Sequence, residues 1–294
     1  MTTNLINGIL AFVLWGLFPI YWRALQEVPA PEILAYRIVG SLFFVAFLLV
    51  IMNKWAWLKE LTFKKFNYYG LTSIFITINW LVYIWAVNND QVVEASLGYY
   101  INPLTNVLLG TIFLQEKLRK MQKLAILIAL IGVAFLTYKY GKLPWVSLIL
   151  ATSFAVYGLL KKKAHLGGIE SFSLETFILS FPALGFIFFL MQKGQSSWGQ
   201  LGLEADLLLL GAGIATGLPL ILFNLAAKKL TLTTLGMLQY ISPTFQLLIG
   251  LLVFKEAFPM DKFLGFVIIW TALIIYTAEL VHYNNSKRQK VKLT

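Results

Sequence analysis

Two stretches of this sequence reveal how the chain is organised: YINPLTNVLLGTIFLQE at residues 100–116 and YISPTFQLLIGLLVFKE at residues 240–256. Both begin with Tyr-Ile-x-Pro, and in both a Gly follows the Pro by seven residues and a Glu follows it by thirteen. The two stretches are 140 residues apart in a chain of 294 residues. Such self-similarity at a fixed spacing predicts that the chain contains two related halves.

The sequence around these stretches has the composition of a membrane protein. Hydrophobic residues make up 59% of the chain, charged residues make up 13%, and the mean hydropathy is +0.76. Soluble domains are only about 45–50% apolar and about 25% charged. The apolar residues form ten continuous segments, each about 20 residues long, as a membrane-spanning helix requires. Continuous rather than alternating apolar segments favour helices over a β-barrel. The predicted segments are 5–25, 32–52, 66–88, 92–114, 120–139, 144–160, 171–191, 205–227, 232–254 and 261–282.

The number of segments relates the two halves to each other. Each half contains five segments, and because five is odd, the second half must cross the membrane in the opposite direction to the first. We therefore predict an all-α polytopic membrane protein whose ten transmembrane helices form two inverted five-helix repeats. The repeats are expected at residues 1–140 and 141–283, followed by a basic cytoplasmic tail at residues 284–294.

The basic residues predict the orientation of the chain. Most of the 24 Lys and Arg residues lie in the even-numbered connections and in the C-terminal tail, which share one side of the membrane. Because Lys and Arg are enriched on the cytoplasmic side, both termini are expected there, with Glu116 in a cytoplasmic loop and Glu256 in an external one. The same basic residues are expected to contact anionic lipid headgroups rather than nucleic acid.

The arrangement resembles a known family. Ten helices in two five-helix halves, with Glu116 and Glu256 ending equivalent stretches, resemble the EamA family of the drug/metabolite transporter superfamily. The run WGLFP at residues 15–19 and the run VPAPEIL at residues 28–34, followed by Arg37, resemble the RarD-type permeases of that family. The resemblance covers nearly the whole chain. It implies a secondary transporter in the bacterial cytoplasmic membrane, often an exporter of amino acids, metabolites or drugs.

Three ionisable residues within the predicted segments, Arg37, Glu94 and Glu175, are candidates for charge recognition or gating. A charge at membrane depth costs about 3 kcal/mol or more, so each needs a role. Arg37 is expected either to meet a substrate carboxylate, to form an external gate pair with Glu94, or to be an interfacial or structural residue paired with Glu32 or Glu94. Glu175 is expected either to bind a proton or to balance the lysines at residues 161–163.

Polar and aromatic side chains cluster at one depth of the predicted bundle, which predicts a central cavity. Amides that faced lipid would lose their hydrogen bonds, so they are expected to point inward. An aromatic wall with a few amides suits a flat, amphipathic or zwitterionic solute, although single aromatic residues also serve in packing. The predicted cavity residues are Trp15, Asn79, Tyr83, Tyr99, Tyr100, Asn102, Tyr157, Gln239 and Tyr240. Pro103 and Pro243, expected near the middle of helices four and nine, are predicted to kink these helices, either as hinges or for packing.

Together these features predict a secondary-active transporter of small organic solutes that works by alternating access around one central cavity. Two alternatives stay open at this point: a non-transporting scaffold or sensor with the same fold, and a passive uniporter. An enzyme is not expected, because the sequence contains no Walker motif, no His-Glu-x-x-His and no cysteine. We expect no cofactor and no metal; the expected partners are a small-molecule substrate, the lipid bilayer and, as a candidate coupling ion, a proton.

Overall fold

The computed structural model describes residues 2–115, 118–162, 166–227, 230 and 238–292. Within this part of the chain there are ten α-helices of at least eight residues and no strand. A helix satisfies its backbone hydrogen bonds internally, as lipid requires. Seven of the helices are long and apolar enough to cross a membrane, and shorter apolar helices lie at Trp145–Lys161 and Ile241–Val253. The predicted all-α, ten-helix polytopic fold is confirmed. The helices are α1 (Thr2–Arg23), α2 (Ala30–Met52), α3 (Phe63–Asn88), α4 (Val92–Leu114), α5 (Lys120–Tyr140), α6 (Trp145–Lys162), α7 (Gly168–Gln192), α8 (Leu203–Ala227), α9 (Ile241–Leu248) and α10 (Met260–Lys292).

Two helices differ in extent from the predicted segments. The described part of α9 begins at Ile241 and passes into a π-helical turn at Ile249–Val253. A turn at residues 239–240 separates this helix from the helical residue Leu238. Pro243 crowds the carbonyl of Gln239, four residues earlier, so the interruption lies where this proline acts. Pro103, in contrast, lies inside α4. The α10 helix continues to Lys292, because no Gly or Pro interrupts its second half, so the predicted tail begins as helix.

One prediction of topology falls outside the part of the chain that is described. Glu116 lies in the gap between residues 115 and 118, so its placement opposite Glu256 stays a prediction. The boundary between the two repeats and the cytoplasmic position of both termini also stay predictions.

Close contacts at glycines bring the helices around the candidate site together. A Cβ added at Gly98 would lie 2.7 Å from the carbonyl oxygen of Ser147, so α4 and α6 meet at their backbones. Gly40 and Gly213 make a contact of the same kind between α2 and α8. Small residues permit such approach in a membrane, where packing holds helices together. The α3 helix packs against α6 and α7, and α1 packs against α8 and α9. These helices enclose the interior in which the polar residues lie.

Candidate functional site

One face of α3 carries most of the polar side chains of the candidate site. Five side chains share this face, because at 100° per residue their positions fall within an arc of about 100° around the helix axis. They are Tyr69, Thr72, Asn79, Trp80 and Tyr83. All are buried except Trp80, which is partly exposed. From Thr72 to Tyr83 this polar face of α3 extends about 16 Å along the helix axis. It therefore connects groups that lie at two different depths of the bundle.

Glu175 of α7 lies at one end of the polar face of α3 and is only 1% exposed. Its carboxylate accepts hydrogen bonds from Thr72 Oγ1 at 2.7 Å, Tyr157 OH at 3.0 Å and Lys161 Nζ at 2.9 Å. Ser171 contacts both members of the ion pair. A buried charge is costly unless it is paired and hydrogen-bonded. Both carboxylate oxygens of Glu175 meet this condition.

Helix periodicity assembles this cluster. Tyr157 and Lys161 are four residues apart in α6, and Ser171 and Glu175 are four residues apart in α7, so each pair lies on one face of its helix. The sequence placed Lys161 in a basic loop and gave the lysines at residues 161–163 as an alternative partner of Glu175; the ion pair with Lys161 is present in the structure. Lys161 lies instead in the last turn of α6, and its spacing from Tyr157 is the signal that identifies it.

Asn79 connects three helices at the middle of the polar face of α3. Its Nδ2 donates to the carbonyl oxygen of Leu150 at 3.0 Å and to Ser153 Oγ at 3.1 Å, both in α6. Its Oδ1 accepts a hydrogen bond from Tyr99 OH of α4 at 3.2 Å. Tyr99 points inward to the buried Asn79 and is nevertheless partly exposed. Its free surface therefore faces the interior of the bundle.

Asn102 lies one turn further along α4 and also bonds α6. Its Nδ2 donates to the carbonyl oxygen of Ala151 at 3.1 Å, and its Oδ1 accepts from Asn106 Nδ2 at 2.9 Å. Gly158 of α6 faces Asn106, because a Cβ added to this glycine would lie 3.6 Å from Asn106 Oδ1. The absence of a side chain at Gly158 therefore lets the Asn106 amide lie close to α6.

Arg37 of α2 lies at the other end of the polar face, inside a cage of aromatic rings. It is 3% exposed, and its Cζ lies 4.2 Å from the ring centroid of Trp80, 5.0 Å from that of Trp22 and 5.8 Å from that of Phe18. Cation–π contacts of this kind stabilise a desolvated cation by about 2 kcal/mol. Phe18 and Trp22 were not among the predicted site residues. No motif identifies them, because aromatic residues are common throughout this chain.

The acidic residues proposed as partners of Arg37 bond elsewhere. Glu94 accepts a hydrogen bond from the backbone N of Val146 at 3.2 Å, at the start of α6. Glu32 accepts hydrogen bonds from the hydroxyls of Ser196 and Ser197 at 2.9 and 2.8 Å. None of the salt bridges between described residues includes Arg37. Neither the Arg37–Glu94 gate pair nor the Arg37–Glu32 pair is formed in this structure, so the guanidinium is a buried cation without a neighbouring anion.

Tyr100 and Tyr240, both predicted to line the cavity, lie in a separate aromatic cluster. Successive helical residues point about 100° apart, so Tyr100 turns away from Tyr99 toward α9 and α10. Its ring stacks on that of Tyr240 with centroids 6.4 Å apart, and its hydroxyl lies 2.7 Å from Thr244 Oγ1. Tyr100 also contacts Trp270 edge-to-face at 6.0 Å. These two tyrosines join α4 to the second half of the chain.

Trp15 and Gln239 are the remaining predicted cavity residues. Trp15 of α1 is partly exposed, its ring lies 5.7 Å from that of Phe223, and its carbonyl oxygen accepts a hydrogen bond from Gln246 at 3.4 Å. Gln239 is partly exposed in the turn before α9. The structure thus groups Asn79, Tyr83 and Tyr99 near Arg37, groups Tyr157 with Glu175, and places Trp15 and Gln239 in other parts of the bundle.

Polar contacts join helix ends that are predicted to be external, one of them between the two halves and one within the first half. Glu256 accepts hydrogen bonds from the backbone N of Val92 at 2.7 Å and of Val93 at 2.8 Å, the first two residues of α4. A carboxylate at this position satisfies unpaired N–H groups and interacts favourably with the helix dipole. Arg23 at the end of α1 forms an ion pair with Asp90 at 2.8 Å.

Ten apolar helices that enclose buried charges and amides, with no soluble domain among the described residues, define a polytopic membrane protein whose chemistry lies inside the bilayer. The chain belongs to the EamA-like transporter family, which matches residues 2–138 and again residues 143–278. Each match contains one of the two Tyr-Ile-x-Pro stretches. The protein is therefore a membrane transporter, and the family that the sequence resembled is confirmed.

Individual relatives agree with this assignment. The chain is 43% identical over 293 residues to Protein RarD of Streptomyces exfoliatus, covering 99% of this chain and 92% of the relative. It is 44% identical over 295 residues to the uncharacterized transporter YojE of Bacillus subtilis, covering 97% of both chains. A protein crystal structure with 19% sequence identity matches 94% of this chain and 96% of its own chain at a TM-score of 0.60, which shows the same fold.

Proposed function

We propose that this protein is a secondary-active transporter that moves small organic solutes across the bacterial cytoplasmic membrane by alternating access, with export as the favoured direction. The observation that carries the proposal is the polar face of α3, which joins a buried carboxylate at one end to a buried, unpaired guanidinium at the other. Solute sites of secondary transporters lie inside the bilayer between the two repeats. The polar face of α3 lies at that depth.

A non-transporting scaffold or sensor would have no need of these groups. Arg37 Nε and Nη1, Tyr83 OH and Trp22 Nε1 are buried and have no hydrogen-bond partner among the described residues. Each such group costs about 1–3 kcal/mol relative to a satisfied one. A scaffold would hold the same helices together better with apolar side chains. The unpaired donors therefore support a solute that completes their hydrogen bonds.

The contacts at the end predicted to be external support a conformation closed toward the outside. Glu256 bonds the start of α4, and Arg23 pairs with Asp90. Alternating access requires the external contacts to break when the cavity opens outward. Both termini are proposed to lie in the cytoplasm, in keeping with the lysine distribution.

Glu175 is the proposed coupling site for a proton. Its carboxylate is bonded to Lys161 at 2.9 Å, and a proton taken up by Glu175 would replace that ion pair and change the bonds to α3 and α6. Coupling requires that an ion bind one conformation better than the other. A passive uniporter, the remaining alternative, would not respond to an imposed gradient.

The test is transport by purified protein in proteoliposomes, using a panel of amino acids, metabolites and drugs with and without a pH gradient. The proposal expects accumulation of at least one solute that depends on the gradient and disappears when a protonophore is added. Transport that ignores the gradient would favour the uniporter. A protein that moves no solute under either condition would favour the scaffold and contradict the proposal.

A further inference from the structure

Arg37 is the group whose surroundings say most about the solute, and the inference drawn from it rests on the proposed function. Its guanidinium is permanently charged, almost fully buried, and has two nitrogens without a partner among the described residues. The aromatic rings around it stabilise a cation but offer no hydrogen-bond acceptor in the plane of the guanidinium. Tyr83 and Tyr99 lie near enough to act on its charge electrostatically. Its five N–H donors therefore lack the anion that this group ordinarily binds.

The groups beside Arg37 also donate hydrogen bonds. Tyr83 OH and Trp22 Nε1 are buried without partners, and an indole N–H can only donate. The site is thus positively charged, rich in donors and poor in acceptors. A cationic or quaternary ammonium solute would be repelled by the resident guanidinium. A solute with a negatively charged acceptor group would satisfy the donors and neutralise the charge at once.

The charge balance indicates a carboxylate. One guanidinium matches one negative charge, whereas a dianionic phosphate would require a second cation. Arg23, which follows Trp22 in the chain and donates to the carbonyl oxygen of Val87, is already paired with Asp90. Lys161, at the other end of the polar face of α3, is already paired with Glu175. Neither of these cations is therefore free to balance a second negative charge beside Arg37.

The aromatic residues beside Arg37 indicate the chemical nature of the rest of the solute. Trp80 lies over the guanidinium, and Tyr99 lies beside Tyr83 with ring centroids 5.6 Å apart. Trp80 and Tyr99 are the partly exposed members of this group, whereas Trp22 and Tyr83 are buried. Flat aromatic surfaces favour a planar apolar body through stacking or edge contacts. We infer that the protein transports aromatic monocarboxylates, whose carboxylate binds Arg37 and whose ring lies against Trp80 and Tyr99.

Matched pairs of probes test this inference directly. Benzoate and benzamide, phenylacetate and phenylacetamide, and cinnamate and cinnamamide differ in charge but hardly in shape. Binding to the full-length protein in detergent is measured by tryptophan fluorescence and calorimetry. Because hydrogen bonds to charged groups are the strong ones, at least one carboxylate is expected to bind about tenfold or more tightly than its amide. Equal affinity within every pair, or no binding by any of the carboxylates, would overturn the inference.

Variants of Arg37 test whether this residue causes the preference for carboxylate over amide. Arg37→Gln is expected to abolish the preference for carboxylate over amide, and Arg37→Lys to keep part of it, because lysine retains the charge without the planar fork. Lys193→Gln, which removes one charge from an exposed position at the end of α7, is the control and should bind as the wild type does. A wild-type preference that survives in Arg37→Gln would overturn the inference. If Arg37→Gln does not fold, the affinities for carboxylate and amide in the wild type and in Arg37→Lys still test the inference.

The proteoliposome assay separates this inference from the proposed function. Gradient-driven transport of neutral or cationic solutes, with carboxylates ignored, would overturn the inference and leave the transporter intact. Binding of carboxylates through Arg37 without transport in either direction would support the site and contradict the proposed function.

Discussion

Replacing Glu175 by Gln and Lys161 by Met, singly and together, measures how strongly the buried ion pair is coupled. The two charged atoms lie 2.9 Å apart, and the side chains are 2% and 22% exposed, respectively. Removing one member of a buried pair leaves an uncompensated charge and costs about 3–5 kcal/mol. Because Lys161 keeps some contact with water, we expect the lower value, about 3 kcal/mol of unfolding free energy, for each single variant. The double variant leaves no lone charge and should cost less than either single variant, far below the about 6 kcal/mol of additivity.

Denaturant unfolding in mixed micelles, followed by tryptophan fluorescence, measures these differences. The exposed pair formed by Lys139 and Asp261 at 3.5 Å is the control, because its side chains are 41% and 48% exposed. Variants of that pair should change the unfolding free energy by less than about 1 kcal/mol. Additive effects of Glu175→Gln and Lys161→Met would refute the reasoning, as would a Glu175→Gln variant as stable as the wild type.

The same Glu175→Gln variant has a functional signature. A glutamine cannot bind and release the proton, so gradient-driven accumulation should be abolished while exchange of labelled for unlabelled solute continues. Both processes are followed in proteoliposomes with the solute identified by the panel. Normal acid-driven accumulation by the variant would remove Glu175 from the coupling role.

Three further outcomes are expected. Glu256→Gln should destabilise the folded protein by about 1 kcal/mol, because a neutral amide replaces the carboxylate at the helix N-terminus; unchanged denaturant unfolding would mean that this contact carries no energy. Gly98→Ala should lower the unfolding free energy by about 1–3 kcal/mol because of overpacking. Gly70→Ala, where a Cβ meets nothing within 4 Å, should raise it by about 1 kcal/mol. The same unfolding assay distinguishes the two variants, and a Gly98→Ala variant as stable as the wild type would contradict the close contact. In this cysteine-free chain, a cysteine at Asp90 should react with an impermeant thiol reagent from outside the cell and one at Lys54 only after permeabilisation; equal labelling of both would contradict the predicted topology.

The fold was predictable because hydropathy acts over whole segments. Ten apolar runs of membrane length leave few alternatives to ten helices, and lipid forbids exposed backbone. The ends of helices were less predictable, because they depend on single residues and on packing. Pro243 illustrates this: it was expected near the middle of one helix, and a turn at residues 239–240 separates Leu238 from the helix that begins at Ile241.

The candidate site was predictable by residue type but not by partner. A mid-span charge or amide stands out in an apolar sequence, and Arg37, Asn79 and Glu175 were identified on that ground. Their partners depend on rotation about each helix axis, which a single sequence does not specify. Tyr99 and Tyr100 are neighbours in the chain, yet one faces the polar face of α3 and the other faces α9 and α10. Lys161 was expected among the loop lysines that balance Glu175, but its position within α6 was not predicted, because a basic residue at a helix end is usually solvated.

The polar face of α3 has a mechanical consequence. A helix transmits torque along its length because its backbone hydrogen bonds resist twisting, so Thr72 and Trp80 turn together. A small rotation of α3 would shift both the Thr72 hydroxyl that bonds Glu175 and the Trp80 indole that covers Arg37. Protonation of Glu175 and binding of a solute at Arg37 would then be coupled through one helix, without a chain of intermediate contacts.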